Sequence, residues 1–372
     1  MSTTNIPEKI KAQLWALAAG RCEYENCNKP LWKDDLTMAK MNKAYIAHIV
    51  ADEPNGPRGD KKRSILLAKE FSNLMLMCDE HHRLIDKEDV AGHPEKRLLA
   101  MKSEHEKRIE LLTGLQPDVK THIVLYGSNI GQQGAAISFA DAAQAVLPNR
   151  YPVDSYGVEI GVQNSSFYDS EELFWQIEEE NLVRQFQEKI KPLLAIDSDK
   201  SISIFGLAPM PLLIKLGTLF SDLNDVAVFQ KHREPNTWKW QKETEVEFKI
   251  VEPEKYDGIL VLNMSLSANI DNQRIESMFD EKISIWTLTI DNPHNDFLKS
   301  EKLLSEFRTV CRQLFNLIKL KHGQAATLHV FPAMPVSASI EFGRVRMPKA
   351  DLKMVIYDQN YSKNSFIKTI TI

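Results

Sequence analysis

Two close pairs of soft metal ligands, Cys22 with Cys27 and Cys78 with His81, constrain this chain of 372 residues more than any other feature. A closed structural zinc site takes four such ligands, and tight turns that each aim two side chains at one ion are an economical way to deliver them. The competing reading is a set of unrelated buried thiols and a surface histidine. It has to explain two spaced pairs within roughly 60 residues of a chain that carries only four cysteines. The fourth, Cys311, lies in "RTVCRQLFNLIK", an apolar helical pattern, and reads as a buried core thiol.

Composition adds limits. With 43% hydrophobic and 26% charged residues the chain is of ordinary globular type, long enough for two or three domains. The opening "MSTTNIPEKIKAQ" lacks the basic-then-apolar layout of a signal peptide, and apolar runs such as "GILVLNM" fall short of the roughly 20 residues of a membrane span. A cytoplasmic protein, with no membrane partner, is expected. Lys and Arg number 19 against 18 Asp and Glu over residues 1–115, and 27 against 33 over the rest, so no broad basic face is present. Any grip on nucleic acid has to rest on local clusters such as "RGDKKR", where Arg58, Lys61, Lys62 and Arg63 are candidates; a solvated loop is the alternative.

Periodicity divides the chain near residue 115. Asn5 with Glu8 suggests a capping box, Pro7 sits in the first turn, and Ile6, Ile10, Leu14 and Leu17 keep helical spacing up to Gly20. "AYIAHIV" is a short β-type run followed by a loop, and "HPEKRLLAMKSEHEKRIELLTG" is a charged amphipathic helix. We expect a first domain over 1–115, a linker at 116–121 and a second domain over 122–372. In the second, strand patterns ("HIVLYG", "SISIFG", "VAVFQ", "EVEFKIV", "YDGILVLNMSL", "KISIWTLTI", "ATLHVF", "LKMVIYD") alternate with helical ones ("SEELFWQIEEENLVRQFQEKI", "PLLIKLGTLFSDL", "SEKLLSEFRTVCRQLFNLIKLK"), as in an α/β sheet. "FGLAPMPLLIKLG" and "FPAMPVSASIEFG" share Phe, Pro and Gly at equal spacing, the trace of a duplicated strand, turn and helix.

His82, directly after His81, is not needed for the first ion. The order "AHIV", then "NL", then "CDEHHRLID" resembles the HNH (ββα-metal) nucleases over roughly residues 15–90, with His81 replacing the second Cys of the usual knuckle. The resemblance implies an α+β domain in which His48 is the general base, Asn73 orients it, and His82 binds a catalytic divalent ion. Asp86, one helical turn after His82, is a candidate second ligand. Many relatives place a metal-binding Asp or His just before the first His; this chain has Ala47, which leaves more of the coordination to Asp86 and water. Phosphodiester hydrolysis asks for a base with pKa near neutrality and a cation for the developing charge, which suits histidine and Mg²⁺.

The second half, through "IFGLAPMPLLIKLG" and "TLHVFPAMPVSASIEFGR", resembles the SAVED domains, two fused Rossmann-like (CARF-like) units; the whole chain resembles the HNH-SAVED effectors of bacterial CBASS anti-phage systems. That implies a cyclic di- or trinucleotide activator made by a partner synthase, homo-oligomerisation on binding, and degradation of double-stranded DNA. Candidate ligand contacts lie after two strands: Pro209, Met210, Pro211 and Leu212, with Lys215 beyond them, and Phe331, Pro332, Ala333, Met334 and Pro335. Trp175, Trp238, Lys239 and Trp240 could stack on bases and meet phosphate, although each indole equally suits core packing. Rival functions are an HNH restriction endonuclease that recognises modified DNA, and a zinc-stabilised ligand-sensing DNA-binding regulator in which His48 and Asn73 are structural.

Overall fold

The computed structural model describes every residue except 1–3, 35, 116–118, 132, 134–135, 163–164, 197–200, 221–224 and 361–362. Its chain divides into two units, 1–115 and 116–372. Of the expected linker, 116–118 lie outside the described residues, and Lys120 and Thr121 already belong to a strand.

The first unit opens with α1 (Glu8–Leu17), whose Leu14 packs with Ile6, Ile10 and Leu74. The expected cap at Asn5 is not used. Pro7 occupies the cap position at φ −56°, ψ 141°, and no side chain caps the helix, because proline's fixed φ itself sets the entry turn. Strands β1 (Tyr45–His48) and β2 (Leu74–Met77) pair antiparallel with His48 opposite Leu74, and the short helix α2 (Arg63–Leu67) lies between them in sequence. β2 runs directly into α3 (Asp79–Arg83), and the long α4 (Glu95–Thr113) closes the unit at Gly114. The core is small: Ala18, Leu31, Ile49, Met75, Met77, Ile85 and Leu98 gather around Cys22 and Cys78.

In the second unit the elements run β3 (Lys120–Gly127), α5 (Phe139–Val146), β4 (Tyr151–Pro152), β5 (Val158–Ile160), α6 (Glu172–Gln185), α7 (Lys191–Ile196), β6 (Ser201–Leu207), α8 (Met210–Leu219) and β7 (Val226–Phe229). There follow β8 (Lys249–Val251), β9 (Ile259–Ser265), α9 (Asn272–Glu276), β10 (Ile283–Thr289), α10 (Glu301–His322), β11 (Thr327–Ala333), α11 (Val336–Val345), β12 (Lys353–Asn360) and β13 (Ser365–Thr371). They build two sheets, ordered β4-β3-β6-β7 with β5 also on β3, and β13-β12-β11-β9-β10-β8. Pairing is parallel except at the edges β8 and β13. The central strands β6 and β9 are buried along almost their whole length, as parallel strands covered on both faces must be.

The duplication is geometric as well as textual. β6 and α8 begin and end at one constant sequence offset from β11 and α11. The two helices cross at their shared glycines: a Cβ on Gly217 would sit 2.0 Å from the Ile340 carbonyl oxygen, and one on Gly343 would sit 2.0 Å from that of Ile214, the equivalent residue. Helices can approach this closely only where no side chain stands between them. One continuous core then joins both sheets to α6, α8, α10 and α11 through Ile204, Leu213, Leu262, Phe307 and Ile340.

Candidate metal centre and sensor surface

Cys22 and Cys27 lie in a turn, closed by Cys22 N on Lys29 O, that reverses at Asn26 and Asn28, both at positive φ, while Cys78 caps α3 and His81 stands in its first turn. The four ligand atoms all lie within 4.8 Å of one another; His81 Nδ1 is 3.2 Å from Cys78 Sγ and 3.7 Å from Cys22 Sγ. Tetrahedral Zn²⁺ with bonds of about 2.3 Å to sulfur and 2.0 Å to nitrogen sets ligands about 3.5 Å apart, so this donor set fits zinc in chemistry and in spacing. A hydrogen bond from Cys22 and the neighbouring His81 hold the Cys78 thiol down to about 5, whereas that bond and burial push Cys22 up. The Tyr24 ring lies parallel on the His81 ring at 4.0 Å, with its hydroxyl 3.0 Å from His93 Nε2, which fixes the imidazole's plane.

His82 turns elsewhere. Its ring stacks on Tyr45 at 5.0 Å, and its Nε2 lies 3.3 Å from Asp86 Oδ2, a separation close to the roughly 3 Å between adjacent ligands of an octahedral divalent ion. Burial lowers the His82 pKa and favours the neutral imidazole a metal binds. Among the described residues only the Cys22 set gathers three or more metal-capable side chains; His82 and Asp86 are a pair.

His48, at the end of β1 and buried, donates from Nε2 to the Ala68 carbonyl at 2.9 Å. A carbonyl only accepts, so the proton of the neutral ring is on Nε2 and the lone pair on Nδ1. Asn73 forms no hydrogen bond with that ring. Its Oδ1 accepts from Val50 N and its Nδ2 donates to Val50 O, both at 2.8 Å, so it pins the backbone two residues beyond His48.

Arg58 corrects an expectation. At φ 58° its side chain turns inward, donating to the carbonyls of Ile49 (2.6 Å) and Ile85 (2.7 Å) and to Asp86 Oδ1 (2.7 Å), and it is 8% exposed. It clamps the end of β1 to the turn after α3, so its guanidinium is engaged within the unit and not offered by a solvated loop. Arg63 pairs with both oxygens of Glu95, and Lys61 and Lys62 are exposed.

In the second unit the two strand-ending loops do meet, since Met334 N donates to Met210 Sδ at 3.3 Å. Most of the expected ligand contacts there are nevertheless interior: Pro209, Pro211, Leu212, Phe331, Pro332, Ala333, Met334 and Pro335 are buried, and Phe331 stacks on Tyr357 at 4.4 Å. They pack where β6 and β11 lead into α8 and α11. Trp175 donates from Nε1 to the Asp169 carbonyl and packs edge-on against Phe174; Trp238 packs edge-on against Phe205. Both indoles are core. Trp240 is half-buried near Phe229, Lys239 is exposed, and Lys215 forms a 2.7 Å ion pair with Glu179.

Polar groups also cluster at the carboxyl ends of the parallel strands, at positions that motif and spacing alone do not single out. Asn263 and Ser265 close β9 in a network with Asn272, and Asp358 near the end of β12 is pushed up to about 7 by burial and by Asp169. At the end of β3, Tyr126 and Ser128 face Glu178 of α6, whose buried carboxyl has a raised pKa. The available signal was a polar residue closing each apolar run, in "LYGSN", "VLNMS" and "VIYDQN".

Residues 182–372 match the family model described as "SAVED: SMODS-associated and fused to various effectors sensor domain". Among solved structures, the chain is similar to the Acinetobacter baumannii Cap4 SAVED/CARF-domain containing receptor with the cyclic trinucleotide 2′3′3′-cAAA (13% identity, 84% of this chain and 60% of that one, TM-score 0.43). It is similar also to that receptor with 3′3′3′-cAAA (15%, 74% and 60%, 0.45) and to the Moraxella osloensis Cap4 receptor (12%, 74% and 58%, 0.42). The chain spans about 60% of the length of these receptors. No curated protein matches it. Among the described residues no helix is long and apolar enough to cross a membrane.

Proposed function

The chain belongs to the SAVED family of sensor domains, and from that premise we propose that it is a cyclic-oligonucleotide-activated, metal-dependent endonuclease of double-stranded DNA, acting in anti-phage defence. The second unit is the sensor, and the first unit, an HNH-like domain held by zinc, is the effector.

One observation carries the nuclease half of this reading. The adjacent imidazoles divide: His81 joins the thiols, while His82 faces Asp86, which Arg58 ties back to the strand end that bears His48. A scaffold zinc needs only the first of these. His82 and Asp86 are the residues that would hold a divalent ion such as Mg²⁺, which when bound neutralises charge on the phosphorane and on the leaving 3′ oxygen. His48 Nδ1, with its lone pair set by the Ala68 bond, takes the proton of the attacking water, and Asn73 keeps the strand end in place while it does so. Several copies brought together by ligand add their weak holds on DNA, which makes assembly the switch.

The test is plasmid incubated with the full chain and Mg²⁺ across a panel of cyclic di- and trinucleotides. Cleavage that requires one member of the panel and is lost in His48→Ala is expected. Cleavage indifferent to every cyclic nucleotide would favour the restriction-enzyme reading, and none with any member would refute the nuclease.

A further inference from the structure

Helix α2 is inside out. Its small polar residue, Ser64, is fully buried and accepts a hydrogen bond from Asp60 N, while Ile65 and Leu66 are 71% and 72% exposed. No described residue of the first unit covers this pair, and an exposed apolar pair on a rigid support is the form an interaction surface takes. The support is rigid because the carbonyls at the end of the segment are spoken for: Ala68 O accepts from His48 Nε2, and Leu67 O from Asn73 Nδ2. The pair is thus mounted on the two residues assigned to catalysis and positioning.

Its flanks are basic. Lys61 and Lys62 precede the pair and Lys69 follows it; all three are exposed and form no ion pair among the described residues. Asp60 spends its carboxylate on the amides of Lys62 and Arg63, and Arg63 is paired with Glu95. Among the described residues, the carboxylate of the segment that forms no ion pair or hydrogen bond is that of Glu70, beyond Lys69. An apolar point between two cationic shoulders complements duplex DNA, where the apolar faces of a base step lie between two rows of phosphates.

We propose that Ile65 and Leu66 form a wedge that enters the minor groove of duplex DNA and opens a base step beside His48, with Lys61, Lys62 and Lys69 on the flanking phosphates. The inference rests on the nuclease reading and deepens it. Apolar side chains inserted in this way unstack a step and kink the duplex, and they read groove shape instead of base edges. Opening a step would bring a backbone phosphate toward His48 without any need for a sequence, which suits indiscriminate cleavage.

The experiment uses the full chain, without Mg²⁺, with the cyclic nucleotide that gives most cleavage in the plasmid panel. The probe is a short duplex carrying 2-aminopurine, which brightens when its step unstacks. Wild type is expected to bind and brighten the probe. Ile65→Ser/Leu66→Ser should bind about tenfold more weakly with an unchanged salt dependence, and stay dark at saturation. Lys61→Ala/Lys62→Ala/Lys69→Ala should flatten the salt dependence, and melting curves and zinc content report that both variants fold. Binding with equal brightening by wild type and the serine variant would overturn the wedge alone, as would a serine variant altered only in self-association. A wild type that neither binds nor cuts duplex would overturn the nuclease reading beneath it.

Discussion

His81 and His82 are neighbours whose rings answer to different partners, because successive residues on a helix point about 100° apart. That division makes opposite predictions for two otherwise identical substitutions. His81→Ala removes a ligand from the thiol cluster, so bound zinc measured by mass spectrometry should fall and the first unit should melt early. His82→Ala leaves Cys22, Cys27, Cys78 and His81 complete, so zinc should stay at one per chain while DNA cleavage drops about 100-fold or more. Zinc lost equally in both would place the two rings on one ion. Glu178 allows a separate test. Burial raises its pKa, so the native state holds this proton more tightly than the unfolded chain does. The stability it contributes is therefore full below the ordinary glutamate pKa and is lost as pH rises through the folded value. Glu178→Gln removes that dependence and should stabilise the protein by about 1–2 kcal/mol at pH 8, with the gain vanishing near pH 4, as read from denaturant midpoints at the two pH values.

Between elements, the decisive contact is the crossing of α8 and α11. Gly217→Ala or Gly343→Ala would drive a methyl into a backbone carbonyl, and each should destabilise the second unit by about 1–3 kcal/mol. Since either change separates the same two helices, the double variant should cost less than the sum, which chemical denaturation of the three proteins would reveal. The duplication behind this crossing was legible in the sequence because the backbone dictates its residues, Pro209 and Pro335 at the helix starts and Gly217 and Gly343 within; that the two copies meet at those glycines was not. The four thiol and imidazole ligands were legible for a similar reason, since spacing alone decides which side chains a tight turn can bring together. Side chains with two uses were not. An indole packs a core as well as it stacks a base, and Trp175 and Trp238 do the former. An arginine in a loop faces solvent or its own carbonyls according to one backbone dihedral, and the positive φ of Arg58 is not written in its neighbours. The edge strand β13 escaped notice although "SFIKTITI" alternates, while "EVEFKIV" yields a strand only at its end, in β8, because only Lys249–Val251 find a partner in β10.

At the scale of the whole molecule, the two units have separate cores of unequal kind. That of the first unit is slight and includes Cys22 and Cys78 themselves, so a metal held by them would be coupled directly to its stability. That of the second runs through two sheets and four helices with no metal-capable cluster among its described residues. A strong chelator should therefore unfold 1–115 while sparing the rest, and limited proteolysis should then leave a fragment beginning near Lys120, where β3 starts. If sensing resides in that fragment, the activating cyclic nucleotide should stabilise it by itself: at about 100 times its dissociation constant, a ligand that binds only the folded state adds about 2.7 kcal/mol. Calorimetry of the chelated, digested protein with and without the activator reads that shift directly. A fragment whose melting is unmoved by the nucleotide that switches on the intact chain would mean that the first unit supplies part of the ligand site, and effector and sensor could no longer be assigned one to each unit.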